Sequence, residues 1–306
     1  MGSSSVTDGH RSGIVTLLGP PNAGKSTLLN RLLGQKITIV TPRPQTTRNR
    51  ITGIITGADH QIVLVDTPGL HRPRELINQQ MVRAAMESIK DADLALFIVD
   101  AADTTLLEQA DRASELREYL VQINCPVLLV VNKIDLLSSQ QCTDITAAFG
   151  RLHSFAAVQP ISASRGDNTD LLLRTLVEML PEGPQYYPED IPTDASERFI
   201  VAEIIREQVF LKTRQEVPYK TAVLIDAFQE PEQTGPVIIH ASILVERSTQ
   251  KGILIGHQGR MLADIRTSAT RQIERLLDCQ VRLRLWIKVK KKWTENEALL
   301  RELGLG

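Results

Sequence analysis

The sequence predicts two domains in tandem: an open, doubly wound α/β sheet over residues 1–183 and a small α+β domain over 196–306, joined by a linker at 184–195. Three observations predict them. A glycine-bearing loop, Gly19-Pro-Pro-Asn-Ala-Gly-Lys-Ser26, follows an apolar run and opens a helical pattern. Further apolar runs downstream end in polar residues, as parallel strands do where their carboxyl ends meet a ligand. Beyond a proline-rich stretch the order becomes helix, strand, strand, helix, helix, strand around a Gly-x-x-Gly loop.

Gly13-Ile-Val-Thr-Leu-Leu18 is short, continuous and apolar, the pattern of a parallel strand buried on both faces. The loop then fits G-x-x-x-x-G-K-[ST], and Thr27 to Gly34 has helical spacing with a glycine stop. A strand, a glycine turn and a helix N-terminus aim several backbone N–H groups and a positive dipole end at one point, which suits a phosphate. Gly19, Asn22, Ala23, Gly24, Lys25, Ser26 and Thr27 are therefore the candidate phosphate-binding residues. Lys25 would reach the β- and γ-phosphates, and Ser26 would offer its hydroxyl to Mg²⁺.

Ile62-Val-Leu-Val-Asp-Thr-Pro-Gly69 is a second apolar strand, running into Asp66, Thr67, Pro68 and Gly69. Asp66 is expected to hold the Mg²⁺ hydration shell, and the Gly69 N–H to meet the γ-phosphate. Pro126-Val-Leu-Leu-Val-Val-Asn-Lys-Ile-Asp135 is a third, ending in Asn-Lys-x-Asp. Asp135 can accept from both guanine N1–H and the exocyclic amine, while Asn132 bonds the purine and Lys133 covers its ring. Adenine would leave Asp135 desolvated and unpaired, which discriminates strongly. Val158-Gln-Pro-Ile-Ser-Ala-Ser164 then brings up Ser162 and Ala163, whose N–H can face guanine O6. Four short motifs in this order, each after a strand, predict a site for GTP or GDP with Mg²⁺.

This set resembles the translation-factor-like GTPases over roughly the first 180 residues. The resemblance implies a threonine Mg²⁺ ligand in the polar loop Gln45-Thr-Thr-Arg48, assigned to Thr47 with Thr46 as the alternative. A threonine pair in such a loop also fits ordinary turn chemistry. Where some GTPases carry a glutamine to orient water, this chain has Leu70, as in a subclass that positions water by other means. Some relatives use the residue matching Asn22 to hold K⁺ in place of an arginine finger, although an asparagine there also suits a left-handed turn. Lys25, Thr47, Gly69 and Asn22 are thus the candidate catalytic residues, and Ser26, Thr47 and Asp66 the candidate metal ligands.

At 306 residues and 42% hydrophobic content the chain can bury two cores. A net charge of -1 leaves no global attraction to nucleic acid, so any such footprint must be local. Cys125, Cys142 and Cys279 are scattered without metal spacing and read as reduced thiols of an intracellular protein. No apolar stretch approaches 18 residues, and the opening Met1 to Ser12 has no signal-peptide core. The reading is of a soluble, cytoplasmic protein, with peripheral membrane contact left open.

Helical spacing in Leu171 to Leu180 ends at Pro181, and four prolines in the next twelve residues, 181–192, make a semi-extended linker. Ser196 opens a helix with apolar Phe199, Ile200, Ala202, Ile204, Ile205 and Val209; strands follow at Lys220 to Phe228 and Val237 to Glu246. Lys251-Gly-Ile-Leu-Ile-Gly-His-Gln-Gly259 precedes a long helix to about Leu277, a strand, and an amphipathic tail from Trp293 to Leu303. This order is that of the type II KH module, with Gly256-His-Gln-Gly259 as its Gly-x-x-Gly loop. Ile253, Ile255, Gly256, His257, Gln258, Gly259 and Arg260 are its candidate RNA-binding residues; a basic residue is common where His257 and Gln258 stand, and Arg260 is the candidate to compensate. In the strand Val281 to Lys292 the even positions Arg282, Arg284, Lys288, Lys290 and Lys292 are basic while Leu283, Leu285, Ile287 and Val289 are apolar, so the charges share one face. That face suits single-stranded RNA, and lysines also protect sheet edges.

A GTPase domain, a proline-rich link and a C-terminal type II KH domain resemble the Era family over nearly the whole chain. Gln45-Thr-Thr-Arg48, Leu70-His-Arg-Pro73, Glu216-Val-Pro-Tyr219 and Leu285-Trp-Ile-Lys-Val-Lys290 extend the match. The resemblance implies GTP hydrolysis, binding of the 3′ end of small-subunit ribosomal RNA through the KH loop, a role in 30S subunit maturation, and association with the inner membrane surface. The competing class is an RNA-binding adapter that binds GTP but barely hydrolyses it, which Leu70 would permit.

Overall fold

The computed structural model describes residues 9–70, 75–108, 110–231 and 233–305. Along the chain run β1 (Arg11–Leu18), α1 (Lys25–Leu33), β2 (Ile51–Thr56), β3 (His60–Asp66), α2 (Leu76–Glu87), β4 (Leu94–Asp100), α3 (Thr105–Glu108), α4 (Ala110–Leu120), β5 (Val127–Asn132), α5 (Ser139–Gly150), β6 (Ala157–Pro160) and α6 (Thr169–Met179). The rest is α7 (Glu197–Lys212), β7 (Thr221–Gln229), β8 (Val237–Val245), α8 (Ser248–Ile255), α9 (Arg260–Leu277), β9 (Val281–Val289) and α10 (Glu297–Glu302). Contacts divide the chain into two compact units, one of Met1–Ile37, Thr47–Arg72 and Met81–Asp194, the other of Thr38–Thr46, Pro73–Gln80 and Ala195–Gly306. His71, Arg72 and Pro73, quoted for the family resemblance, lie outside the described residues.

The first unit holds a six-stranded sheet in the order β2-β3-β1-β4-β5-β6. Only β2 is antiparallel to its neighbour; the other pairings are parallel. Its strands are near-continuous apolar runs because both faces are covered. Leu17, Leu64, Leu96, Phe97, Leu128 and Leu129 are wholly buried, and each such side chain contributes about 1.5–3 kcal/mol. Register sets Leu17 beside Asp66 and Asp100 beside Asn132, which aligns the carboxyl ends of β1, β3, β4 and β5. The chain leaves β1 on one side for β2 and β3 and on the other for β4 to β6, so the strand order reverses at β1. Such a switch point is where open α/β sheets bind ligands.

The segment expected as a semi-extended linker is extended but pinned within this unit. Gln61 accepts from the amides of Tyr186 and Tyr187 at 2.7 and 2.9 Å and donates to the Tyr187 carbonyl. The Ile54 amide reaches Pro192 O at 2.8 Å, and the Thr193 hydroxyl reaches Thr52 O at 2.6 Å. The edge strand β2 thereby fills backbone bonds that would otherwise face solvent.

In the second unit β7, β8 and β9 form a three-stranded sheet, β7 antiparallel and β9 parallel to β8. Ser196 caps α7 by accepting from the Phe199 amide at 3.3 Å. Ile239, Ala241 and Ile243 of β8 and Leu283 and Ile287 of β9 share a core with Ile205 and Val209 of α7, Leu254 of α8 and Ile265, Ala269 and Ile273 of α9. The strand expected to run to Lys292 stops at Val289: the Lys290 amide makes a last bond to Val245 O, and Lys292 then turns the chain at φ 52. The closing tail contains α10, whose Leu299 and Leu300 are buried, and Trp293 is wholly buried with its indole donating to Lys220 O at 3.0 Å.

The buried polar face of α7 is the feature least expected from apolar spacing. Arg206 donates from Nε to Glu203 Oε1 at 2.7 Å and from Nη2 to the Thr46 carbonyl at 2.6 Å, and Glu207 Oε1 accepts the Val40 amide at 2.9 Å. The unit's segment Thr38–Thr46 is thus tied to α7 by hydrogen bonds to buried charged side chains, beside the buried Ile39.

Candidate functional site

In the first unit the sheet's switch point presents the loop between β1 and α1. Gly24 sits at φ 98, a conformation that side chains strain to adopt, and a Cβ there would stand 2.2 Å from Asn132 Nδ2. Asn132 fixes this loop against the base-recognition loop: its Nδ2 donates to Ala23 O at 2.8 Å and its Oδ1 accepts the Ala163 amide at 3.0 Å. Lys25 is buried at the start of α1, with Nζ donating to Gly19 O and Pro20 O at 3.0 and 2.9 Å. Burial lowers its pKa to about 8, against the pull of Asp66. Thr27 lies in the first turn of α1, while Asn22 is exposed at φ 63, the left-handed turn geometry that the sequence left open for it.

Three oxygens meet beside the loop. Ser26 Oγ lies 2.5 Å from Asp66 Oδ2 and 2.7 Å from Thr47 Oγ1, and Thr47 Oγ1 lies 3.5 Å from the same carboxylate oxygen. Asp66 is fully buried, and its other oxygen, Oδ1, has no hydrogen-bond partner. Burial pushes its pKa up to about 6, opposed first by the Ser26 hydroxyl and then by the Lys25 charge. Two hydroxyls and a carboxylate, one of whose oxygens is buried without a partner, form an all-oxygen donor set that fits a hard cation such as Mg²⁺. Thr46 does not join them: its hydroxyl bonds Thr41 Oγ1 at 2.6 Å and Arg43 O at 2.8 Å. Of the two threonines, Thr47 is the one whose hydroxyl lies beside Ser26 and Asp66.

Thr67, Pro68 and Gly69 follow Asp66 as a buried turn, with Thr67 Oγ1 donating to Leu17 O at 2.6 Å. The Leu70 amide donates to Gly19 O at 3.0 Å, and its side chain joins the core with Phe97 and Val99. Leu70 offers nothing to water because it is a packing residue.

At the base-recognition end Ser162 Oγ donates to Asp135 Oδ1 at 2.6 Å, and Arg165 approaches Oδ2 at 3.8 Å. Lys133, at φ 67, places Nζ 2.6 Å from Asp100 Oδ2. Apolar spacing did not single out Asp100; its signal was present, since Leu94 to Val99 is another apolar run ending in an aspartate. Arg31 was also missed: from α1 its Nε donates to Ala163 O at 3.1 Å, tying the helix to the loop expected to face guanine O6.

In the second unit Gly256-His-Gln-Gly259 joins α8 to α9. Gly256, at φ 70 and ψ 179, has no room for a side chain, because a Cβ would stand 2.6 Å from that of Met261. His257, Gln258 and Arg260 are exposed, and so are Ile253 and Ile255 on α8, while Leu254 between them is in the core. An apolar face beside an open loop at a helix N-terminus can receive bases and phosphate together. Arg282, Arg284 and Lys288 are exposed on β9, and Lys290 follows it. The core face of β9 packs with α8 and α9, so these charges lie on the opposite face of the sheet from the Gly-x-x-Gly helices.

Comparison with known proteins matches a family model described as 50S ribosome-binding GTPase to residues 14–133 and one described as KH domain to residues 216–294. The chain is 48% identical over 294 residues to GTPase Era of Geobacter metallireducens, covering 96% of this chain and 97% of that protein. It is 47% identical over 293 residues to GTPase Era of Geotalea daltonii, again with 96% and 97% covered. Among solved structures, an Aquifex aeolicus Era variant bound to GDP and AlF4⁻ superposes with a TM-score of 0.91 at 34% identity, covering 97% of this chain and 99% of that one. Era in complex with MgGDPNP and nucleotides 1506–1542 of 16S ribosomal RNA superposes with a TM-score of 0.92, at the same identity and coverage.

Proposed function

This chain belongs to the Era family of GTPases, and from that premise we infer a division of labour among its residues in hydrolysing GTP to GDP and phosphate and in binding small-subunit ribosomal RNA. Lys25 and the amides of Gly24 to Thr27 balance charge on the β- and γ-phosphates. Ser26, Thr47 and Asp66 would hold Mg²⁺, which when bound would neutralise charge on the phosphates. Asp135 reads guanine from a carboxylate already oriented by Ser162, Asn132 braces the phosphate loop against the Ala163 loop, and the Lys133 ammonium is fixed over the base by Asp100. Leu70 holds its turn by packing, which leaves backbone groups to position the attacking water. The carrying observation is the convergence of the Ser26, Thr47 and Asp66 oxygens on one buried carboxylate with an unpartnered oxygen.

RNA is taken by the Gly-x-x-Gly loop with Ile253, Ile255 and Arg260, the site through which the family member acts in 30S subunit maturation. Among the described residues no helix is long and apolar enough to cross a membrane; a peripheral place at the inner membrane face rests on the family resemblance, and vesicle flotation tests it.

The experiment measures GTP turnover with and without a single-stranded RNA matching the 3′ end of 16S ribosomal RNA, for the intact chain and for Gly256→Asp with Gly259→Asp. Turnover raised by RNA in the intact chain and unresponsive in the double variant is the expected result. Absence of turnover in either condition would favour the adapter reading instead.

A further inference from the structure

Trp286 stands apart from the site described above. It lies on β9 between Arg284 and Lys288, on the sheet face turned away from α8 and α9, and is 44% exposed. The chain's other tryptophan, Trp293, is wholly buried with its indole N–H bonded. No partner meets the Trp286 indole N–H among the described residues. Its ring meets that of His240 of β8 edge to face, with centroids 5.2 Å apart at 77°. That contact restrains the ring while much of its surface stays exposed.

The surroundings are basic and largely uncommitted. Arg282, Arg284 and Lys290 form no ion pair among the described residues, and Lys288 reaches Asp226 only at 3.4 Å with both side chains well exposed. Successive positions on this face are about 6.6 Å apart along the strand, so cations flank the indole on both sides at intervals close to those of consecutive phosphates in an extended strand. A large exposed aromatic in a row of cations on a rigid strand is poorly explained by protection of a sheet edge, for which the lysines alone would serve. It has the two parts of a stacking platform: a π-face for a base and charge for the backbone.

We propose that Trp286, braced by His240 and flanked by Arg282, Arg284 and Lys288, is a second single-strand RNA contact, stacking an unpaired base that lies outside the Gly-x-x-Gly groove. It rests on the reading that this unit binds RNA. A KH loop clamps four nucleotides, and the opposite side of the sheet gives the continuing strand a second hold. The platform lengthens the bound segment and selects for an unpaired base at a distance from the groove.

The test titrates the intact chain with two uridine-rich RNAs, one of about six nucleotides that fills the groove and one of about twenty that extends beyond it, and reads both affinity and tryptophan fluorescence. The long RNA should quench Trp286 and bind Trp286→Ala roughly tenfold more weakly than the native chain; Trp286→Phe, which keeps an aromatic face, should retain most of the affinity. The short RNA should bind all three proteins alike. Gly256→Asp with Gly259→Asp should lose the short RNA yet keep residual quenching by the long one. Equal long-RNA affinity for Trp286→Ala and the native chain would overturn the proposal, as would an equal loss for short and long RNA, which marks a packing role. Binding of a fully paired duplex with the same dependence on Trp286 would also overturn it, because stacking needs an unpaired base. If the native chain bound neither RNA, the RNA-binding reading itself would fall, an outcome distinct from failure of the platform alone.

Discussion

Asp66 holds one oxygen against Ser26 and buries the other without a partner, and burial raises its pKa to about 6 from 3.8. Its proton therefore stabilises the metal-free fold fully below 3.8, and that contribution is lost as pH rises through about 6. Mg²⁺ needs the ionised carboxylate, so its affinity for the GDP-bound chain should fall about tenfold per pH unit below about 6. Calorimetric Mg²⁺ titration across that range checks it, with Asp66→Asn expected to bind weakly at every pH. Asp135→Asn exchanges an acceptor for an amide where guanine presents donors, so preference should move from GTP toward xanthosine triphosphate in a competition assay. Asn22 fills a left-handed turn, and its proposed second role at K⁺ has a separate signature. Turnover should be faster in K⁺ than in Na⁺, and Asn22→Ala should erase the difference; equal rates in the native chain would leave Asn22 to the turn alone. These residues were readable because each motif ends an apolar run with a polar group of fixed chemistry. Asp100 and Arg31 were not, since their roles depend on which strand and loop lie alongside, a matter of register.

At the scale of elements, strands that carry motifs at their ends were legible: β1, β3, β5 and β6 follow from apolar runs before the phosphate, Asp-Thr-Pro-Gly, Asn-Lys-x-Asp and Ser-Ala-Ser segments. β2 and β4 carry none of those motifs and escaped notice, although β4 lies beside β1 in the sheet. Period-two alternation fixed which face of β9 is buried, while its end depended on the turn at Lys292. In the loop between α8 and α9 the two glycines differ in kind. Gly256 combines φ 70 with ψ 179 and a 2.6 Å approach to Met261, whereas Gly259, at φ 77 and ψ 8, has open space around a Cβ. Gly256→Ala should cost roughly 1–3 kcal/mol in urea unfolding and distort the loop, while Gly259→Ala should cost about 1–2 kcal/mol, the ordinary left-handed penalty. RNA affinity should follow the same order; a loss at Gly259 as large as at Gly256 would count against loop shape as the determinant.

At the scale of the whole molecule, the candidate nucleotide and RNA residues belong to different units, and a switch requires a free energy of coupling between them. Ordering of loops by a γ-phosphate is the usual device, and Thr47 and Gly69 are the residues placed to respond. Linkage is reciprocal, so the state that binds RNA better must bind its nucleotide better when RNA is present, with a coupling of about 1–3 kcal/mol. RNA affinities measured with GDP and with a non-hydrolysable GTP analogue should differ about five- to hundredfold, and identical values would remove the switch. The order of the two domains was legible because composition breaks at the prolines. Membership of Thr38–Thr46 in the second unit was not, since it draws on buried polar residues of α7 that apolar spacing passes over. That membership bears on biosynthesis. A ribosome delivers the chain from its amino end, so the Val40 amide and the Thr46 carbonyl emerge more than a hundred residues before Glu207 and Arg206, the side chains that receive them. Until α7 is made, water must serve in their place, and a nascent chain halted at Asp194 would present this stretch to a protease that the finished protein denies.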